Sequence, residues 1–258
     1  MPQLIQQWNP ADYALHSQGQ ERWARELLGL LNLQPSESVL DVGCGDGRMT
    51  FEIAKRARWV VGIDSSQEMV AFASRNFPES KFHKLSFQTA DAAALPFRDE
   101  FDVVYSSAVL HWVQNHESAL AGIARSLHSG GRCLLQMGGK GNSPEVIDAF
   151  EATGARPRGF TYAFHSADEY RPKLKKAGLT ADSVELIPKD MVHSNRAAFI
   201  GWLRTAWLPY HRHVPDSQRD QFLEAVTDRF VAAHPPDTNG AFHVRVVRLQ
   251  VSAHKSRA

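Results

Sequence analysis

Val39-Leu40-Asp41-Val42-Gly43-Cys44-Gly45-Asp46-Gly47 is the stretch whose reading decides the fold. Val39 to Val42 is an apolar run of strand length, the glycines after it make a tight turn, and Met49, Ile53 and Ala57 then recur at helical spacing. A buried strand that runs through a glycine-rich turn into a helix binds something at the turn. Gly43 and Gly45 remove side chains where a ligand must lie against the backbone, and an open helix N-terminus offers unsatisfied N–H groups. A dinucleotide fold requires a third glycine three residues after the second; that position is Arg48, so the pattern fails. Asp41 adds a carboxylate beside the ligand, which repels a pyrophosphate and attracts an ammonium.

Outward from this turn, strand-like and helix-like segments alternate, as a parallel sheet with crossover helices requires. Trp23, Leu27, Leu30 and Leu31 mark an amphipathic helix before the first strand. Trp59 to Ile63 reads as the second strand, Phe82 to Thr89 as the third and Phe101 to Ser106 as the fourth. Ser65 with Glu68 three residues later reads as a capping box that opens a helix with Met69, Phe72, Ala73 and Phe77 inside. Leu120, Ile123, Ala124 and Leu127 form a helix that Gly130–Gly131 is expected to stop, and Arg132 to Met137 is the fifth strand. Pro144 to Ala152 and Ala167 to Ala177 read as helices and Ser183 to Ile187 as a sixth strand. Residues 195–233 read as helical with breaks at Pro209 and Pro215. Val247, Leu249, Val251 and Ala253 alternate with Arg248, Gln250 and Ser252, which predicts a half-buried edge strand at the end.

Composition narrows the function. The 258 residues carry 29 Lys+Arg and 28 Asp+Glu, a net charge of +1, with 43% hydrophobic residues. A chain of this size buries roughly 70–75% of its unfolded surface and needs no staples. The even charge without a basic run argues against a nucleic-acid partner, and the apolar stretches are too short to span a membrane. Cys44 and Cys133 are too few for a disulfide framework. With no basic-then-apolar leader at Met1 to Asn9, the reading is a cytoplasmic protein. Oligomeric state is not legible, and a monomer is the default.

Asp64 ends the second strand and Asp91 follows the third, so three neighbouring strands each place an acid on the rim where open α/β sheets bind ligands. An acid at the second position can accept both hydroxyls of a ribose; one at the third can accept from an adenine amino group. The bland readings are a helix cap for Asp64 and a loop carboxylate for Asp91.

These motifs, with Gly62-Ile63-Asp64-Ser65-Ser66, Ala90-Asp91-Ala92, Phe101 to Trp112 and Gly130–Gly131, resemble the class I S-adenosylmethionine-dependent methyltransferases. The resemblance covers nearly the whole chain. Within the class it is most like the trans-aconitate 2-methyltransferases, through Trp8-Asn9-Pro10 with Tyr13, Leu110-His111-Trp112, and Gly201-Trp202-Leu203 leading to Leu208-Pro209; the related malonyl-carrier-protein methyltransferases share the glycine turn and the final strands but less of the N-terminal segment. It implies a Rossmann-like, mostly parallel seven-stranded sheet of order 3-2-1-4-5-7-6 with the last strand antiparallel, and a helical lid. One methyltransferase domain then spans 1–258, with 1–19 as an N-terminal gate, 20–139 as the cofactor-binding core, and 140–170 and 190–240 as lid segments. The cofactor is S-adenosylmethionine, left as S-adenosylhomocysteine. The residues expected around it are Trp8, Tyr13, Gly43, Cys44, Gly45, Asp64, Ser65, Met69, Asp91, Ala92, Ser107 and Trp112.

Methyl transfer from a sulfonium needs nucleophile, methyl and sulfur in line in a dry pocket. A carboxylate acceptor is already ionised at neutral pH; a hydroxyl or amine needs a base, for which the candidates are His111 and His16. The substrate-side candidates are His16, Trp112, Tyr162, Arg204 and Tyr210, with Arg204 as the carboxylate clamp, against the plainer reading of solvated helix faces and lid core. His211-x-His213 lacks a completing ligand, so no metal is expected. No Asn/Asp-Pro-Pro-Tyr/Phe run follows the fourth strand, where amide- and adenine-N-methylating relatives carry it, which argues further against a nucleic-acid substrate. The expected function is transfer to a small-molecule acceptor, foremost O-methylation of a carboxylate. The alternatives are N-, C- or hydroxyl-directed transfer to a metabolite or natural product, or a cofactor-binding regulatory protein without transfer activity.

Overall fold

The computed structural model describes residues 8–16, 18–157 and 159–257; the side chains of His16, Gln18 and Gln20 lie outside that description. Seven strands form one sheet: β1 (Ser38–Val42), β2 (Trp59–Asp64), β3 (Leu85–Thr89), β4 (Phe101–Ser107), β5 (Leu127–Gly138), β6 (Leu179–His193) and β7 (Phe242–Lys255). Their order is β3-β2-β1-β4-β5-β7-β6, with β7 antiparallel to both its neighbours and the pairs among β1 to β5 parallel. This is the order and the antiparallel last strand that the resemblance implied.

Alternate residues of β1 serve the two faces. Val39 joins Val60, Val103 and Tyr105 under α2 (Gln18–Leu30) and α3 (Arg48–Ala54). Leu40 and Val42 join Val61, Ile63, Val104 and Leu135 under α5 (His116–Ser126) and α7 (Ala167–Lys176). Between α3 and β3 lies α4 (Gln67–Asn76). The Tyr105 hydroxyl donates to the Ala24 carbonyl at 2.8 Å and so ties α2 to the sheet. A third core lies over β7, where Phe242, Val244 and Val246 meet Phe150 of α6 (Pro144–Ala152), Phe199 and Trp202 of α8 (Arg196–Ala206), and Phe230 of α10 (Asp216–Ala233). A short helix, α9 (Leu208–His211), links α8 to α10, and α1 (Pro10–His16) precedes α2.

Several sequence expectations are corrected. β7 is not an edge strand: it pairs with β5 on one side and over its whole length with β6 on the other. Its alternation looked half-exposed because Arg248 and Gln250 are polar, yet the lid covers their face. The edge on that side is β6, much longer than Ser183 to Ile187, and its charges and Pro188 guard it against edge pairing. Gly130–Gly131 do not stop a helix; α5 ends at Ser126, and the glycines lie in a bulge where the β4–β5 register shifts between Phe101 and Val103. The cap of α4 is Ser66, which accepts from the Met69 N–H at 3.2 Å while its hydroxyl donates to Glu68 at 2.8 Å, and Ser65 is exposed. In the lid the chain breaks at Trp207, and Pro209 sits in the first turn of α9, where no N–H is needed.

Candidate active site

The carboxyl ends of β1 and β4 open onto a cleft lined by Tyr13, Asp41, Gly43 to Asp46, Tyr105 and Ser107. The glycine turn is held from below: the N–H groups of Gly43 and Cys44 donate to the Ile63 carbonyl at 2.7 and 2.8 Å. Gly43 has φ +81°, and a Cβ there would lie 2.0 Å from Cγ2 of Val109. Glycine at 43 therefore makes room for a side chain of the β4 loop. Glycine at 45 is where the expected room exists: φ is +53°, and among the described residues a Cβ there would meet only the Tyr13 ring, at 3.8 Å. Cys44 is buried and both cysteines are free thiols.

Asp64 accepts from the Gly45 N–H at 3.0 Å through one oxygen and from the Ser66 N–H at 2.9 Å through the other. It fastens the β1 turn to the β2 end, and burial raises its pKa. Asp91 caps the turn Ala92–Ala94 through the Ala93 N–H at 2.8 Å with one oxygen. Asp41 is buried, accepts from Thr50 Oγ1 at 2.7 Å, and has its pKa pushed up to about 7 by burial, with the Asp64 charge adding to the rise. A carboxylate so placed calls for a cation.

α1 lies across the turn. Tyr13 is half-buried over Gly45, and burial beside Asp46 and Asp64 pushes its hydroxyl pKa up. Trp8 meets Tyr13 edge-on at 5.7 Å between centroids and Trp112 at 5.1 Å. Asp12 pairs with Arg204 of α8 at 3.6 Å, and Arg204 also binds Asp220 at 3.1 Å. Arg204 thus holds α1 to the lid. Of the residues expected around the cofactor, Tyr13, Gly43, Cys44, Gly45 and Ser107 line the cleft, while Asp64, Met69 and Asp91 do not, Met69 being buried at the capped end of α4.

On the lid side, the His111 ring lies 5.6 Å from Trp112, 5.9 Å from Tyr162 and 6.0 Å from Phe164. The Tyr162 hydroxyl donates to the Ala206 carbonyl at 2.8 Å. Tyr210 stacks on Phe150 at 4.8 Å within the lid core. His111 Nδ1 accepts from the Gly138 N–H at 3.2 Å, and burial holds its pKa down at about 3. A neutral imidazole whose Nδ1 accepts a hydrogen bond carries its proton on Nε2, which is then a donor. The side chain of His16 is outside the described residues. Among the described residues no cluster of metal-ligating side chains exists, His211 bonding instead to the Arg204 carbonyl, and no helix is long and apolar enough to cross a membrane.

With this geometry in hand, comparison with known proteins gives the class. Residues 40–135 match the family model of a methyltransferase domain. The chain is 29% identical over 260 residues to an uncharacterized methyltransferase of Schizosaccharomyces pombe, covering 96% of this chain and 98% of that protein. It is 28% identical over 256 residues to the trans-aconitate 2-methyltransferase of Rhodopseudomonas palustris, covering 94% and 96%. On these matches the chain is similar to S-adenosylmethionine-dependent methyltransferases, and they support that activity for it. The crystal structure of the YcgJ protein of Bacillus subtilis superposes with a TM-score of 0.65 at 18% identity, over 92% of this chain and all of that one, and so shares the methyltransferase's fold. The sequence missed one residue of the methyltransferase's rim, Arg248, which is buried at 6% exposure beside His111 and Tyr13. Its only signal was an arginine among strand valines.

Proposed function

We propose that the methyltransferase esterifies a carboxylate of a small-molecule acceptor. The observation that carries this reading is His111: its Nδ1 accepts from the Gly138 N–H and burial holds its pKa down at about 3, so it is a poor proton acceptor, which favours an acceptor that arrives already ionised. A carboxylate does; a hydroxyl or an ammonium does not. The trans-aconitate 2-methyltransferase name of the Rhodopseudomonas relative points the same way.

The cleft fits the cofactor: space stands open at Gly45, and the buried Asp41 has no cationic partner among the described residues. In this reading Asp41 receives the ammonium, Asp64 the ribose hydroxyls and Asp91 the adenine edge. Gly43, Cys44, Ser65, Met69, Ala92 and Ser107 wall the site, and Trp8, Tyr13 and Trp112 close over it. When bound there, the cofactor would supply a methyl group carried on a positively charged sulfur, activated toward an acceptor oxygen because the sulfur would leave as a neutral thioether that keeps the C–S electron pair. Trp112, Tyr162, Phe160 and Phe164 exclude water from that region and hold the acceptor in line.

The test is a transfer screen with labelled cofactor over small acids, amines and phenols, repeated with His111→Gln. Label is expected on an acid, with a rate at saturating cofactor that does not change between pH 6 and 8.5, and His111→Gln is expected to retain turnover within about tenfold. Label on a phenol or amine, with His111→Gln inactive, would refute the reading.

Asp41 gives a pH signature. Its pKa in the fold lies above its ordinary value of 3.8, so its contribution to the stability of the free protein is full below that value and is lost as pH rises through about 7. An ammonium partner favours the charged form, so cofactor affinity should strengthen with rising pH through the same window. Asp41→Asn should flatten both profiles and weaken binding by roughly 1.5–3 kcal/mol, about ten- to a hundredfold in Kd. Calorimetry at pH 6 and pH 8 checks this, and equal affinities for both proteins at both values would remove Asp41 from the site.

A further inference from the structure

Arg48, Arg132, Arg196, Arg204 and Arg219 each pair with carboxylates. Arg248 is more buried than any of them, yet among the described residues no carboxylate faces it and its Nε has no hydrogen-bond partner. Its guanidinium lies 4.4 Å above the centroid of the Trp23 ring, a contact that positions the charge without neutralising it. An uncompensated guanidinium in a dry interior weakens a fold, so its presence there calls for a partner that comes and goes.

The strand register says where that partner sits. Along β7 the residues on the lid face are Phe242, Val244 and Val246, all apolar, and then Arg248 and Gln250. Gln250 is opposite Gln136, which it accepts from at 3.0 Å, and Gln136 is opposite Ser107, a residue of the cofactor cleft. Arg248 is opposite Gly138, whose N–H fixes the His111 ring. A polar row therefore runs from the cleft across β4, β5 and β7, and ends on an arginine opposite the glycine that fixes the His111 ring, at the carboxyl rim of the sheet.

We propose that Arg248, together with the Nε2–H of His111, is the anion subsite that receives a carboxylate group of the acceptor and so selects acidic acceptors. Arginine suits the task because its planar fork meets a carboxylate with two parallel hydrogen bonds. This rests on the carboxylate reading above and assigns the recognition to a residue outside the helical lid.

The test uses the full chain loaded with S-adenosylhomocysteine, titrated with acetate, succinate, glutarate and benzoate, and read by calorimetry and by tryptophan fluorescence, since Trp23 abuts the guanidinium. At least one probe should saturate the wild-type protein. Arg248→Gln should weaken that probe at least tenfold while the affinity of the variant for S-adenosylhomocysteine stays within threefold, and Arg196→Ala, which breaks only surface pairs with Glu224 and Asp228, should leave the probe's affinity unchanged. Arg248→Met, which removes an unpaired buried charge at similar volume, should raise the Tm of the free protein. No saturable probe on the wild type, equal probe affinity in Arg248→Gln, or a lowered Tm in Arg248→Met would each overturn the proposal. Ester formation undisturbed in Arg248→Gln would sink this subsite alone, whereas label on an amine or hydroxyl would sink the carboxylate reading beneath it.

Discussion

Alanine at position 43 is expected to destabilise the methyltransferase by roughly 2–5 kcal/mol, the sum of a left-handed backbone that alanine resists and an overlap that the core must absorb. The added methyl would lie 2.0 Å from Cγ2 and 2.6 Å from Cγ1 of Val109, so either the β1 turn or the β4 loop must move. Both carry the cleft: the turn presents Gly45 and the loop leads into the turn of Leu110 to Trp112 that holds His111. In a chain of this length the loss corresponds to a fall in Tm of about 10 °C. Cofactor affinity should fall with it, because the two loops cannot keep their spacing. Gly45→Ala is the control. It meets only the Tyr13 ring among the described residues, so it should cost less stability than Gly43→Ala while still impairing binding. Equal melting of wild type and Gly43→Ala would show that Val109 does not fill this position.

Deleting residues 1–18 should abolish transfer and leave the sheet and lid folded. The described part of this segment puts Tyr13 over Gly45, Trp8 against Trp112, and Asp12 on Arg204. These contacts cap the cleft from the side opposite the sheet, and none is part of the three cores. We propose that the segment is a gate: α1 must lift for the cofactor to enter and return to exclude water before transfer. The truncated chain should keep its circular dichroism spectrum, lose turnover by at least about a hundredfold and bind S-adenosylmethionine at least about tenfold more weakly. Wild-type turnover and affinity in the truncated chain would end this account of α1.

What could be read from the sequence was what is encoded locally. The β1 turn announces itself because strand, glycines and helix are contiguous, and Asp64 and Asp91 because each follows an apolar run of strand length. The strand order came with the resemblance. The place of β7 was misjudged because alternation along a strand reports which residues face apart, and does not report whether a lid covers the polar face. The same blindness hid Arg248: its burial is made by Trp23 from α2, by the helices over β7 and by Gly138 of β5, all distant in sequence. Arg204 drew notice because it sits in the lid, and only the fold reveals that Asp12 and Asp220 hold it. Ser66 took the cap from Ser65 because the chain leaves β2 one residue later than the pattern indicated.

The central claim is that an already ionised carboxylate takes the methyl group with no protein base, and the bond formed decides it. The enzyme is incubated with methyl-labelled S-adenosylmethionine and the acid that accepts label, and the isolated product is treated with mild alkali. The account predicts that the label is released as methanol, as from a methyl ester; label that stays on the product through alkali, as in a methyl ether or a methylamine, would contradict it.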